Sequence, residues 1–364
     1  MQKKNIINVT KTFFPSFKEY KKYLLKIWKN GWITNHGPLA CRLENILKKY
    51  LGVKHLFFVS NGTVALEISI RALELKGEII TTPFSYVATT SSIVWMNCKP
   101  VFADINPDTL CISPDEIQKK ITKKTSAILA THVYGNPCDI EGIENIADKF
   151  GLKIIYDAAH CFGVKYNDHS VLNEGSISTL SFHATKLFHT AEGGAIITNN
   201  AETACKISYL RNFGHKGLEA FWGLGINGKN SELHAAMGLC VLPQVKKLII
   251  SRKSQTELYN KLLLDKTNRL ITPQKNNRTE YNFSYYPVIF ESEKILIKVR
   301  TALNKQNVFP RRYFYPSLTD LNYINSPTLP VSSDISKRIL CLPLYHGLKL
   351  NDIKKISELI KENI

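Results

Sequence analysis

No apolar run in the sequence approaches the ~20 residues needed to span a bilayer, so no membrane insertion is expected. The start, Met1-Gln2-Lys3-Lys4-Asn5, leads into no sustained apolar region, which argues against a signal peptide. The eight cysteines, at 41, 98, 111, 138, 161, 205, 240 and 341, contain no Cys-x-x-Cys pair. Several fall in apolar runs, and they read as buried, reduced thiols of a cytoplasmic protein. No Gly-x-x-x-x-Gly-Lys-Ser/Thr loop is present, which excludes a phosphate-loop NTPase. Internal repeats and low-complexity segments are absent.

Acidic residues are scarce, with 30 Asp and Glu against 48 Lys and Arg, for a net charge of +18. A basic surface attracts nucleic acid, anionic membranes or phosphorylated substrates. The excess is mostly lysine, dispersed as Lys18, Lys21 and Lys22, Lys48 and Lys49, Lys119 and Lys120, and Lys354 and Lys355. These fall on polar faces of predicted helices and describe a solvated surface. No basic block is interleaved with aromatics, so a nucleic-acid partner is not expected.

What is present is a chain of 364 residues, 44% hydrophobic, long enough for two domains. The expected division is 1–250 and 251–364. Apolar runs predict strands at Leu56–Val59, Glu78–Thr82, Pro100–Asp104, Ser126–His132, Lys153–Asp157, Ser178–Phe182 and Ala195–Thr198. Helices between several of them give an α/β fold with a mostly parallel central sheet covered on both faces. Ser16 with Glu19, and Ser113 with Glu116, have capping-box spacing. Gly31 ends the first helix, and Pro38 opens the next. Asp139 caps a helix that Gly151 ends. From Ser231 a helical pattern runs to Asp265, with a kink at Pro243. After the polar loop Asn276-Asn277-Arg278 a smaller α+β unit follows, with a strand near Phe283–Phe290 and helices near Glu293–Leu303 and Asp352–Ile360.

Three segments carry chemistry. In Ser181-Phe182-His183-Ala184-Thr185-Lys186, a lysine lies among hydroxyls and histidines just past a strand. A lysine held in such a pocket can lose its proton and attack carbonyls. The run Ile154-Ile155-Tyr156-Asp157 delivers a carboxylate to a strand end. Ser60-Asn61-Gly62-Thr63, between a strand and a helix, leaves backbone N–H groups free for a phosphate. Each has an ordinary reading too: a surface loop, a helix-capping aspartate, a plain N-cap. Together, in this order, phosphate seat, ring-nitrogen acid and Schiff-base lysine specify pyridoxal phosphate (PLP).

With these segments the chain resembles the DegT/DnrJ/EryC1/StrS sugar aminotransferases, of the aspartate-aminotransferase fold type. The resemblance extends through Trp32-Ile33-Thr34-Asn35-His36-Gly37-Pro38, Pro83-Phe84-Ser85-Tyr86-Val87-Ala88-Thr89, Asp157-Ala158-Ala159-His160 and Leu210-Arg211-Asn212-Phe213-Gly214. It implies PLP as cofactor, bound through Lys186. Asp157 would pair with the ring nitrogen, His160 would lie near the ring oxygen, and Tyr86 would stack on the ring. Gly62, Thr63 and Ser181 would hold the phosphate. Asn227 matches an asparagine that reaches the phosphate of the neighbouring subunit, which implies a homodimer with shared sites. The segment departs from the family there, since Gly228-Lys229 follows where an aromatic and an arginine are usual. His346 stands where proline is common, with no reason that the sequence supplies.

The tract around Lys186 resembles the branch that aminates C4 of nucleotide-linked 4-keto-6-deoxyhexoses. It implies dTDP-4-keto-6-deoxyglucose as substrate, L-glutamate as donor and a product used in a surface polysaccharide such as an O-antigen. Arg311 and Tyr313 would contact the sugar nucleotide. C3 amination and a non-catalytic regulator on the same fold are the alternatives. A PLP-dependent sugar dehydratase, with histidine in place of the lysine, does not fit Lys186.

Overall fold

The computed structural model describes residues 6–264 and 270–364; Met1–Asn5 and the expected helix end at Asp265 lie outside them. Seven strands form the central sheet: β1 (His55–Val59), β2 (Glu78–Thr81), β3 (Lys99–Phe102), β4 (Thr125–Thr131), β5 (Lys153–Asp157), β6 (Ile177–Ser181) and β7 (Gly194–Thr198). Their order across the sheet is β1-β7-β6-β5-β4-β2-β3. Strands β2 to β6 pair in parallel, while β7 runs antiparallel to both β1 and β6.

The apolar runs that predicted these strands reflect burial on both faces. Successive side chains point to opposite sides of a sheet. Ile79, Ala127, Leu129 and Ile155 pack into one core cluster. Their neighbours Ile80, Ile128, Ala130 and Ile154 pack into another. Each isoleucine so buried contributes about 1.5–3 kcal/mol. The first cluster is closed by α3 (Gly62–Ala72) and α4 (Val87–Trp95). The second is closed by α2 (Pro38–Leu51) and α6 (Ile140–Phe150).

Gly31 ends α1 (Phe17–Asn30) in the left-handed conformation, and the Asp139 side chain accepts the Gly142 N–H to start α6. The two capping boxes do not form. Ser16 and Ser113 precede α1 and α5 (Pro114–Lys120), but neither side chain bonds a helix N–H. Their glutamate partners turn outward instead: Glu19 takes Lys22 at 2.7 Å, and Glu116 takes Lys119 at 2.6 Å.

After α7 (Ala201–Leu210), the long helical pattern resolves into α8 (Glu232–Val241) and α9 (Val245–Leu263), separated by a 3-10 turn over Leu242–Gln244 that contains Pro243. The run Glu232–Leu263 also corrects the expectation that nothing is apolar enough to span a bilayer. An 18-residue window of it reaches a mean hydropathy of 1.3. Half of that window is buried in protein, and Ala235, Ala236 and Val241 sit in the main core. A helix that buries a broad face against a core carries apolar residues across that face.

The expected boundary at residue 250 falls inside α9. Beyond it, β8 (Leu270–Ile271), β9 (Tyr286–Phe290) and β10 (Ile339–Leu342) form an antiparallel sheet. With α10 (Glu293–Lys305) and α12 (Leu350–Lys361) they enclose a second core of Val288, Leu296, Val299, Leu340 and Ile356, joined by Tyr259 of α9 and by Ile7. The helix α11 (Pro330–Arg338) was not anticipated. Strand β9 begins at Tyr286 rather than Phe283, because the residues before it are held elsewhere. Phe283 has φ of 54°, and the Asn282 side chain donates to the carbonyls of His160 and Phe162. This anchor carries Tyr285 to the end of the large sheet.

Candidate active site

Strands β4, β5 and β6 end together at Thr131, Asp157 and Ser181, and β1 ends beside them because Gly194 of β7 pairs with both Val59 and Ser181. Ligand sites of such sheets lie beyond these carboxyl ends. A cleft of about 530 Å³ opens there. Of the ten residues expected in the site, all but Asn227 line it.

Lys186 is half-buried in the turn after β6, where its N–H donates to the His183 carbonyl at 2.9 Å. Burial lowers its ammonium pKa to about 8, with Asp157 and then Tyr86 acting in the opposite direction. Its Nζ lies 6.0 Å from the centre of the Tyr285 ring. A substantial neutral fraction near physiological pH makes this amine a nucleophile and a base.

Asp157 is buried at the end of β5. Its Oδ2 accepts the Thr89 hydroxyl at 2.7 Å and its Oδ1 the Ala159 N–H at 3.1 Å. Burial raises its pKa, while Thr89, Ala159 and Lys186 hold it down.

His160 accepts the Tyr134 N–H at Nδ1, 3.1 Å away. Burial pushes its pKa well below the usual range. The neutral ring therefore carries its proton on Nε2, a donor. Tyr285 meets this ring edge-on, with centroids 4.8 Å apart.

At the other end of the cleft, Asn61 caps α3. Its Oδ1 accepts the Val64 N–H at 2.9 Å and its carbonyl accepts the Ala65 N–H. Among the described residues, no acceptor takes the N–H groups of Gly62 or Thr63. A Cβ at residue 62 would lie 3.0 Å from Cβ of Ser181, so glycine is what keeps this cradle open. Two free amides at a helix N-terminus, facing a serine, form an anion seat.

Tyr86 stands before α4, mostly exposed on the cleft wall. Arg311 pairs its backbone with Cys341 of β10, and its guanidinium lies 5.8 Å from the centre of the Tyr313 ring. Burial pushes the Tyr313 phenol up to about 12, and its carbonyl accepts the Tyr134 hydroxyl. Arg312, by contrast, is paired with Glu293 at 2.7 Å.

Asn227 lies outside its own chain's cleft. It is exposed, with its backbone bridged to Asn212, at the end of a segment bearing the exposed Leu218, Phe221 and Leu224. His346 is also outside, edge-on to Phe13.

Sequence reasoning missed Thr89, Ser85 and Tyr285. Thr89 follows Tyr86 by three residues, so helical spacing alone puts the two on one side of α4. Nothing in the apolar stretch around Tyr285 marks it as a cleft residue.

The family model for DegT/DnrJ/EryC1/StrS aminotransferases matches residues 16–361. The chain is 42% identical, over 98% of each sequence, to the dTDP-4-amino-4,6-dideoxy-D-glucose transaminase of Shigella dysenteriae. It is 39% identical to the protein of the same name from Escherichia coli, covering 97% of this chain and 98% of that one. GDP-perosamine synthase of Vibrio cholerae is 31% identical over 94% of this chain and 95% of its own. Among solved structures, DesI in the presence of its TDP-sugar product superposes with a TM-score of 0.93 at 29% identity, covering 98% of this chain and 92% of that one.

Proposed function

The chain belongs to the DegT/DnrJ/EryC1/StrS aminotransferase family, and from that premise we propose that it moves an amino group from L-glutamate to C4 of dTDP-4-keto-6-deoxyglucose. The observation that carries this reading is the meeting of Lys186, Asp157 and the open amides of Gly62 and Thr63 in one cleft. The two transaminases of dTDP-4-amino-4,6-dideoxy-D-glucose, at 42% and 39% identity, support the choice of sugar, nucleotide and carbon.

The residues present suit PLP. The anion seat at Gly62, Thr63 and Ser181 would take its phosphate. Asp157, across the cleft, would keep its ring nitrogen protonated through a charge-assisted bond. Tyr86 would lie against the ring face, and the Nε2–H of His160 would donate to the ring oxygen. Bound there, PLP supplies a carbonyl for amine exchange and a ring that absorbs electrons.

Lys186 would hold the cofactor between turnovers. Its Nζ, once released, takes the proton from the donor's α-carbon and in the second half-reaction delivers one to C4 of the sugar. Arg311, a cation on the cleft wall, suits the charged part of the sugar nucleotide. Glutamate leaves as 2-oxoglutarate, and the keto sugar leaves as the 4-amino sugar.

Assembly belongs to the same reading. Asn227 sits outside its own cleft beside exposed apolar side chains, which suits a homodimer in which it reaches the partner's phosphate seat. The dispersed, mostly buried cysteines suit a reducing, cytoplasmic setting. The test is a panel of keto-sugar nucleotides offered with glutamate. The purified protein should be yellow, bleach with glutamate, and release 2-oxoglutarate fastest with the dTDP-linked 4-keto sugar. A colourless protein after incubation with PLP would overturn the reading.

A further inference from the structure

Beyond the groups that touch the cofactor, a chain of buried hydroxyls runs away from Asp157. Thr89 Oγ1 lies 2.7 Å from Asp157 Oδ2, Ser85 Oγ lies 2.8 Å from Thr89 Oγ1, and Thr131 Oγ1 lies 3.1 Å from Ser85 Oγ. Thr89 is fully buried, and Ser85, Thr131 and Asp157 nearly so. The direction of the bonds follows from charge. An ionised carboxylate can only accept, so Thr89 spends its one proton on Asp157. Thr89 then receives from Ser85, and Ser85 in turn receives from Thr131. Hydroxyls aligned in one direction polarise one another and strengthen the last bond.

A buried threonine or serine in a helix usually returns its hydroxyl to a carbonyl of the preceding turn. Ser92, in the same helix, does this with Ala88 at 2.8 Å. Thr89 forgoes that bond and reaches a carboxylate 68 residues away in sequence. A carboxylate buried without a donor is strongly destabilised as the charged form.

We propose that Thr89 is a positioning residue, and that the chain Thr131–Ser85–Thr89 holds Asp157 ionised and aimed for the cofactor's ring nitrogen. The proposal rests on the reading of Asp157 given above. Burial is what drives the Asp157 pKa up, and Thr89 is the foremost of the groups opposing it, ahead of the Ala159 N–H and Lys186. Among the described residues, the titratable groups interacting with Asp157 are Lys186 from the turn after β6 and Cys161 from the turn after β5, while Tyr86 from the start of α4 and His160 from the turn after β5 interact in turn with Lys186.

The experiment is a double-mutant cycle read by PLP titration of the apoprotein. Thr89→Val keeps shape and removes the donor, and Thr89→Ser restores it. A lost bond to a charged group corresponds to roughly ten- to hundredfold weaker PLP binding for Thr89→Val, with most of the affinity regained in Thr89→Ser. In an Asp157→Asn background the same Thr89→Val change should alter affinity by less than about threefold. The apoprotein gives a second readout. Because the protonated carboxyl no longer needs the donor, the drop in urea midpoint caused by Thr89→Val should shrink as pH falls through the raised pKa of Asp157. An equal loss of affinity in both backgrounds, or a drop in midpoint that ignores pH, would mean that Thr89 only packs. If Asp157→Asn alone left PLP binding and turnover intact, the assignment of Asp157 would fail first, and this proposal with it.

Discussion

The proposed chemistry depends on Lys186, and its environment sets it apart from the other lysines of a lysine-rich chain. Lysines such as Lys18, Lys21 and Lys49 lie exposed on helices, whereas Lys186 lies in the cleft, its Nζ 6.0 Å from the centre of the Tyr285 ring and its pKa drawn down by burial to about 8. Borohydride reduction of the PLP-loaded protein, followed by peptide mapping, should place the label on Lys186. Lys186→Ala should lose both label and turnover, and a label on another lysine would remove the assignment. The pKa gives a pH prediction as well. The neutral amine is the nucleophile, so covalent capture of PLP by the apoprotein should quicken about tenfold per pH unit below 8 and level off above it; stopped-flow absorbance reads this directly, and a rate flat from pH 6 to 9 would contradict it. At this scale the sequence was informative wherever a reactive side chain ended an apolar strand, as Asp157 and Ser181 do. It was silent about Tyr285, whose place depends on Asn282 bonding to carbonyls more than 100 residues away.

At the scale of elements, the site exists because strand ends coincide. The apolar runs revealed all seven strands of the large sheet to within two residues, since burial on both faces leaves little else for them to be. The order of pairing was not legible. That β7 inserts between β1 and β6, antiparallel to both, is a matter of long-range packing. The capping boxes failed for a local reason: spacing permits the bond, but Glu19 and Glu116 each pair with a lysine three residues further on. Glycine at 194 holds β7 close to the turn before α3, because a Cβ there would lie 2.5 Å from the carbonyl oxygen of Asn61. Gly194→Ala should therefore push the Asn61–Gly62 turn outward and cost about 1–3 kcal/mol of stability, with weakened PLP binding. Urea denaturation and PLP titration of this variant check both effects, and an unchanged midpoint would show that the turn yields freely.

The whole molecule places nine of its ten expected site residues around one cleft and leaves Asn227 outside it. If two chains share their sites, an inactive Lys186→Ala chain still offers a good Asn227, and an Asn227→Ala chain still offers a good Lys186. Mixed dimers of the two should regain part of the activity that each parent lacks. Mixtures no better than their parents, with subunit exchange confirmed, would rule the shared site out. The central claim, amination at C4, is tested most directly by following the nitrogen itself. The protein is incubated with dTDP-4-keto-6-deoxyglucose and L-glutamate labelled with nitrogen-15 at the amine, and the sugar product is assigned by NMR. The account predicts the label on C4, with one 2-oxoglutarate formed for each amino sugar; a label on C3, or none in the sugar at all, would contradict it.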